Sequence, residues 1–207
     1  MMYCAVLMGL TACNENSIFE GELYKKVVYV LSETDLTFGY ITIYAGGTRA
    51  IDQDVTVTLE KDPDLIDKYN HDNFDLDEDK YAKELDPSRY TIKSYTAVMK
   101  VGDQDPYVKL PIEVRTEGLS PDSTYLIPLR IASCTPYEVN KDKSRVLYKV
   151  YIENDFTSQK SPLTLFMRGT QLREDDTKPT QISANKILYP LSKRGVRLNA
   201  GIENSAN

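Results

Sequence analysis

The stretch Leu119-Ser120-Pro121-Asp122-Ser123-Thr124-Tyr125-Leu126-Ile127-Pro128-Leu129-Arg130-Ile131 decides the fold. Ser120, Pro121, Asp122 and Ser123 are turn residues: Pro presets φ, and Ser and Asp side chains bond the nearby backbone. Tyr125 follows and opens Leu126 to Ile131, a run of strand length that is apolar except for Arg130. A Tyr at such a junction can send its hydroxyl back to upstream backbone and pin the corner. Leu119, Pro121 and Tyr125 are therefore the candidate corner residues.

Working outward, Val27 to Leu31 is a continuous apolar run, and Phe38, Tyr40, Ile41 and Ile43 form a second that ends at the turn signal Gly46-Gly47. From Asp54 to Leu59 the chain alternates, with Val55, Val57 and Leu59 facing one way and Thr56 and Thr58 the other, the period of a half-buried strand. A short helix is predicted next, with Asp62 as cap, Pro63 at the first helical position and Leu65, Ile66 and Tyr69 on one face. The acidic stretch to Asp86 reads as a loop. Strands are predicted again over Tyr90–Tyr95 and Ala97–Val101. Val108, Leu110, Ile112 and Val114 then alternate with Lys109, Pro111, Glu113 and Arg115, and Pro111 places that strand at an edge or beside a bulge because it cannot donate to the ladder. Val146 to Ile152 is the last strand of the unit.

This amounts to about seven strands in roughly 130 residues, with too few helices to cover a parallel sheet. The abundance of Tyr, 15 residues, points the same way. The corner resembles the tyrosine corner of immunoglobulin-like sandwiches. The expected fold is all-β: an immunoglobulin-like antiparallel β-sandwich over residues 25–154, followed over 155–207 by a linker and the start of a second β domain, or a segment that packs on the first.

The N-terminus speaks to compartment. Ala5 to Ala12 is a short apolar run, and small residues before a Cys in Leu10-Thr11-Ala12-Cys13 look like a lipoprotein signal cleaved just before Cys13, which would then carry the lipid. The run is too short to span a bilayer. Residues 1–12 are thus expected to be a signal peptide and 13–24 a polar tether beginning Asn14-Glu15-Asn16-Ser17. Met1-Met2-Tyr3-Cys4 lacks the usual Lys or Arg, and the competing reading is a buried N-terminal strand with an incidental Cys13. With Cys4 removed, Cys134 has no partner for a disulfide or metal site and is expected to pack as a small apolar residue.

Charge excludes one class of partner. The net charge is −6, and Lys61 to Asp86 alone holds 4 Lys against 10 Asp or Glu, 4 − 10 = −6. Lys160 to Asn207 holds 8 Lys or Arg and 4 acidic residues, 8 − 4 = +4, without a dense basic cluster. Such a chain repels phosphate, and nucleic acid is not an expected partner.

Catalytic motifs are not visible. His71 is the only His and reads as a loop residue, so neither a His-rich metal centre nor a Ser-His-Asp arrangement has support. Gly46-Gly47 is a turn, not a phosphate loop. Asp75, Asp77, Asp79 and Asp86 faintly follow a calcium-loop spacing, but Lys80 stands where that loop needs Gly and Asp86 where it needs a bidentate Glu. The acids are abundant, yet none pairs in the manner of a glycosidase. No metal, cofactor or catalytic residue is assigned. If a sugar binds, it needs aromatic faces, and without Trp the candidate carbohydrate-binding residues are Tyr90, Tyr95, Tyr107, Tyr137 and Tyr151.

Three stretches carry a family resemblance: Asp62-Pro63-Asp64-Leu65-Ile66-Asp67-Lys68-Tyr69-Asn70, then Tyr90-Thr91-Ile92, then Leu119 to Ile131. Together they resemble the N-terminal domain-of-unknown-function module of surface lipoproteins from polysaccharide-utilisation loci, a module also found ahead of family-18 endo-glycosidases. Ile182 to Ser192 is similar to the start of the second β domain that follows it there. The resemblance implies a non-catalytic lipoprotein, lipid-anchored in the outer membrane and exposed at the cell surface, that assists the binding or presentation of a polysaccharide or oligosaccharide beside other outer-membrane glycan-uptake proteins. Two alternatives stay open: a structural spacer or assembly module contacting a partner protein, and an accessory domain of a glycoside hydrolase.

Overall fold

The computed structural model describes residues 3–6, 24–30, 37–46, 50–174 and 177–199. Its strands are β1 (Tyr3–Val6), β2 (Tyr24–Val30), β3 (Thr37–Gly46), β4 (Val55–Lys61), β5 (Lys83–Glu84), β6 (Tyr90–Thr91), β7 (Thr96–Met99), β8 (Tyr107–Val114), β9 (Tyr125–Thr135), β10 (Glu138–Val139), β11 (Arg145–Glu153), β12 (Thr164–Gln171), β13 (Thr180–Ile187), β14 (Tyr189–Ser192) and β15 (Gly195–Arg197); helix α1 is Asp64–Phe74. A five-stranded sheet in the order β10-β1-β3-β8-β6 faces a six-stranded sheet in the order β2-β11-β9-β4-β7, with β5 beside β9. The chain is an immunoglobulin-like β-sandwich, and its two inner faces meet through Ile41, Ile43, Val55, Val57, Leu110, Ile112, Ile127, Leu129, Val146 and Tyr148.

Two features of the sheets differ from the expected antiparallel set of about seven. β2 runs parallel to β11 over Tyr24–Val30, and β1 and β5 run parallel to β10 and β9. Several additional strands are very short: β5, β6 and β10 have two residues each. β1 comes from the segment read as a signal peptide; it pairs with Ile43–Gly46 of β3 and with β10. The rest of that segment, including Leu10 to Cys13, and the tether up to residue 23 lie outside the described residues, as does Gly47.

Strand β9 is covered on both sides. Ile127, Leu129 and Ile131 point into the sandwich, whereas Leu126 packs with Leu147 of β11 against Leu65 and Ile66 of α1. Burying one such side chain is worth about 1.5–3 kcal/mol, so α1 is held by its apolar face rather than by propensity. Asp62 does not cap the helix with its side chain. The first turn is closed by backbone bonds from Leu65 N–H to Asp62 O and from Ile66 N–H to Pro63 O, both 3.1 Å. The Asp62 carboxylate is buried instead, with Arg145 Nε 3.1 Å from its Oδ2. The Arg145 N–H is not aimed along that contact, which makes it a Coulombic pair and not a directed hydrogen bond. Asn70, buried on the same helix, holds both backbone groups of Ala82 at 2.8 and 2.9 Å and so fastens the end of the acidic loop.

Ladder geometry explains where β6 stops. Ala45 N–H donates to Pro106 O at 2.8 Å, so the β3–β8 pairs alternate and Tyr40↔Pro111 is a non-hydrogen-bonded pair. The nitrogen of Pro111 therefore faces the β6 side. There Arg115 N–H donates to Arg89 O at 2.7 Å, and pairing continues through Tyr90↔Val114 and Thr91↔Glu113. The next donor would be Pro111, which has none. The strand expected over Tyr90–Tyr95 accordingly ends at Thr91.

At the corner, Leu119 is in the core, Pro121 is buried, and Tyr125 is the first residue of β9. The Ser120 N–H donates to the Tyr125 hydroxyl at 3.1 Å. The same corner receives the C-terminal segment. The Gln159 amide donates to the carbonyls of Pro121 and Ser123 at 2.8 and 3.2 Å, and Arg197 of β15 makes a two-pronged pair with Asp122. Asn154, just past β11, donates to the carbonyls of Ser192 and Gly195 at 2.8 and 2.7 Å. The β14–β15 hairpin is thereby tied to the sandwich.

Two predictions follow from these contacts. Tyr125→Phe removes the acceptor of the Ser120 N–H and should lower stability by about 0.5–1.5 kcal/mol in denaturant unfolding. The Arg197 guanidinium holds the Asp122 carboxyl below its usual value of 3.8. A depressed carboxyl contributes stability above its unfolded pKa and loses it as pH falls through the folded one. Amide protection in β14–β15 should thus hold above about pH 4 and weaken below it, and Asp122→Asn should remove that pH dependence.

Candidate functional site

The alternation of β3 splits its aromatic residues from its aliphatic ones. Ile41, Ile43 and Ala45 point inward, which turns Phe38, Tyr40, Thr42 and Tyr44 outward. Across the ladder lie Glu113, Pro111, Lys109 and Tyr107 of β8, each opposite one of them in that order. All four are non-hydrogen-bonded pairs, in which opposed side chains approach most closely. The outer face of the five-stranded sheet thus carries Phe38, Tyr40, Tyr44 and Tyr107 in one field, with Phe38 66% and Tyr40 44% exposed. At about 3.4 Å per residue the field runs about 20 Å from Phe38 to Tyr44.

Its charges are ordered as well. The Lys109 ammonium stands 4.8 Å from the centre of the Tyr40 ring and 5.7 Å from that of Tyr107. Glu113 is nearly buried, and its Oε1 meets Lys93 Nζ at 2.7 Å. Flat aromatic faces beside polar tips suit ligands with one apolar side and a hydroxylated rim.

The five Tyr singled out from sequence do not form one site. Tyr90 is buried in the core at 7% exposure, and Tyr95 packs against the same core, where burial pushes its phenol above 10.0. Tyr137 also leans on the core; its hydroxyl accepts from the Asp52 N–H at 3.1 Å and donates to the Asp52 carboxylate. Tyr151 is half-buried on the outside of the six-stranded sheet, under the Lys149 ammonium at 5.1 Å. Only Tyr107 belongs to the aromatic face. Cys134 is half-buried against the core and unpaired. The parity of Phe38, Tyr40 and Tyr44 against Ile41 and Ile43 was the signal that could have found the others.

Asp86, bonded by Ser88, and Asp122, bonded by Arg197, are both held below the usual carboxyl value, the opposite of what a general acid needs. Among the described residues no group of three or more His, Cys, Asp or Glu is placed to hold a metal ion, and no helix is long and apolar enough to cross a membrane.

Fold and face together define an immunoglobulin-like module with an exposed aromatic sheet surface. A family model described as a "-like, N-terminal domain" matches residues 15–138, and the chain belongs to that family of N-terminal domains. The corner stretch that carries the resemblance lies within the matched range. No curated protein matches the chain. Among solved structures it is similar to a Bacteroides ovatus protein of unknown function, with a TM-score of 0.74, 16% identity, and coverage of 98% of this chain and 63% of that one. A multidomain Bacteroides ovatus protein including DUF1735 has a TM-score of 0.70, 14% identity, and coverage of 98% and 62%. An auxiliary nutrient binding protein from Bacteroides thetaiotaomicron has a TM-score of 0.63, 14% identity, and coverage of 86% and 61%. The chain thus spans a little over three fifths of these structures, and at such identities the likeness is one of fold.

Proposed function

We propose that this chain is a non-catalytic module of a cell-surface glycan-utilisation system, held to the outer membrane through lipid on Cys13, which binds or presents a polysaccharide or oligosaccharide. The observation that carries the reading is the aromatic face of β3 and β8. Four rings on one side of a sheet, two of them widely exposed, offer a stacking surface that core packing does not require. A fold neighbour described as an auxiliary nutrient binding protein and the lipoprotein pattern at Leu10–Cys13 support it. Cleavage before Cys13 removes β1 and opens the β3 edge from Ile43 to Gly46, so the anchored form and the β1-paired form are different states of the chain.

A second reading, an assembly module docked on other outer-membrane glycan-uptake proteins, is favoured by one observation. The β12–β13 hairpin and its surroundings expose Leu163, Leu165, Phe166 and Leu172. An isolated hairpin is marginal in water, so such residues suit a protein partner.

Electrophoresis of the full chain through gels containing soluble polysaccharides tests the leading reading. Retardation by at least one glycan, without release of reducing sugar, is expected. Tyr40→Ala should weaken it about 5- to 10-fold, the equivalent of about 1–1.4 kcal/mol for one lost ring contact. Its unfolding midpoint should correspond to a change within about 0.5 kcal/mol, as for other surface substitutions. Free migration in every glycan would leave the assembly reading. For the anchor, labelled palmitate should enter the wild-type chain in cells and fail to enter Cys13→Ala; a wild type that never takes up label refutes it.

A further inference from the structure

The charges on the aromatic face point to a narrower ligand class than glycans in general. The chain carries −6 overall, yet this face holds Lys109 and Lys93 against Glu113. Glu113 is nearly buried, and its charge is met by Lys93 at 2.7 Å. Lys109 is left without an opposite charge: among the described residues no carboxylate pairs with its ammonium, which is ordered between the rings of Tyr40 and Tyr107 at 4.8 and 5.7 Å. The nearest acids before it in sequence, Asp103 and Asp105, precede β8 and lie beyond Tyr107.

Ring faces attract a cation through their quadrupole and leave its hydrogens free to donate elsewhere. An ammonium offers only donors, so it is poorly matched to hydroxyl groups that must also give away a proton. It is well matched to a carboxylate, which only accepts. Centred in a flat aromatic field, it suits a sugar ring that stacks on Tyr40 while an acidic substituent reaches Nζ.

We propose that the outer face of β3 and β8 selects a carboxylated glycan, a chain of uronic acid residues, with Lys109 as the residue that sets the preference. This rests on the glycan-binding reading above and goes beyond it by naming the chemistry of the ligand.

The test compares one backbone in two charge states. Binding of the full chain to polygalacturonate and to its fully methyl-esterified form would be measured at low and high salt, with dextran sulfate and neutral dextran as further arms. The acid form should bind about 2- to 5-fold tighter than the ester at low salt, the scale of one exposed ion pair. The difference should vanish near 0.5 M salt as screening shortens the reach of the charge. Lys109→Gln should bind both forms equally, with its unfolding midpoint unchanged, and Lys109→Arg should keep the preference. Equal binding of acid and ester by the wild type, or a preference that survives in Lys109→Gln, overturns the assignment. Dextran sulfate bound as tightly as the polyuronate overturns the carboxylate class. Binding of neutral dextran alone refutes this inference and leaves the glycan reading standing, whereas binding of none of these polymers or of any other glycan refutes both.

Discussion

The burial of β9 on both faces constrains everything around it. A strand that is apolar on both sides, as Leu126 to Leu129 is, must find two covers, and a two-layer sandwich supplies only one. The second cover is α1, whose Leu65 and Ile66 close over Leu126 and Leu147. That placement brings Asp62 under Arg145 and lets Asn70 hold Ala82, so the acidic stretch is drawn back to the sheet and its Lys83–Glu84 segment adds to β9 as β5. The corner before β9 inherits the same order, and the C-terminal segment is tied to it through Gln159 and Arg197.

Among the described residues no helix lies over the other sheet, and that sheet shows the opposite economy. Its outer side holds the aromatic rings of Phe38, Tyr40, Tyr44 and Tyr107. Lys109 covers part of two rings, and Glu113 holds a nearly buried position where Lys93 reaches it. One sheet is thus covered by packing, and the outer side of the other carries aromatic rings with ordered charges.

Much of this was legible from local patterns. The alternation of Val55, Val57 and Leu59 and of Leu110, Ile112 and Val114 reports one buried face directly, and both strands bury those residues. The Leu119–Tyr125 turn carries its own chemistry and was readable for the same reason. Long-range pairing was not: nothing near Tyr24 announces a parallel partner at Leu147. The grouping of the aromatic residues is less legible, because a Tyr taken singly does not show which face of its strand it occupies. Tyr90 and Tyr137 look like Tyr40 in isolation, and only strand parity separates a ring under the opposite sheet from a ring in water. Phe38, Tyr40, Ile41 and Ile43 form a single apolar run in sequence, which conceals the two faces. Asp62 was misread for a related reason, since an Asp ahead of a helix serves as a cap by default and the buried Arg145 contact is invisible in sequence.

Pro111 has a consequence for how copies of this molecule meet. Beyond Thr91, among the described residues, the side of β8 turned away from β3 has no partner strand in the sheet, the kind of border along which sheets of separate molecules fuse. A strand arriving there would find an acceptor without its matching donor at Pro111, the first position of the unpaired stretch. Crowded molecules with sticky aromatic surfaces are prone to such fusion, and here the stickiness and the interruption sit on the same strand. A missing ladder bond at Pro111 therefore makes it harder for side-chain contact on this face to mature into a shared backbone ladder.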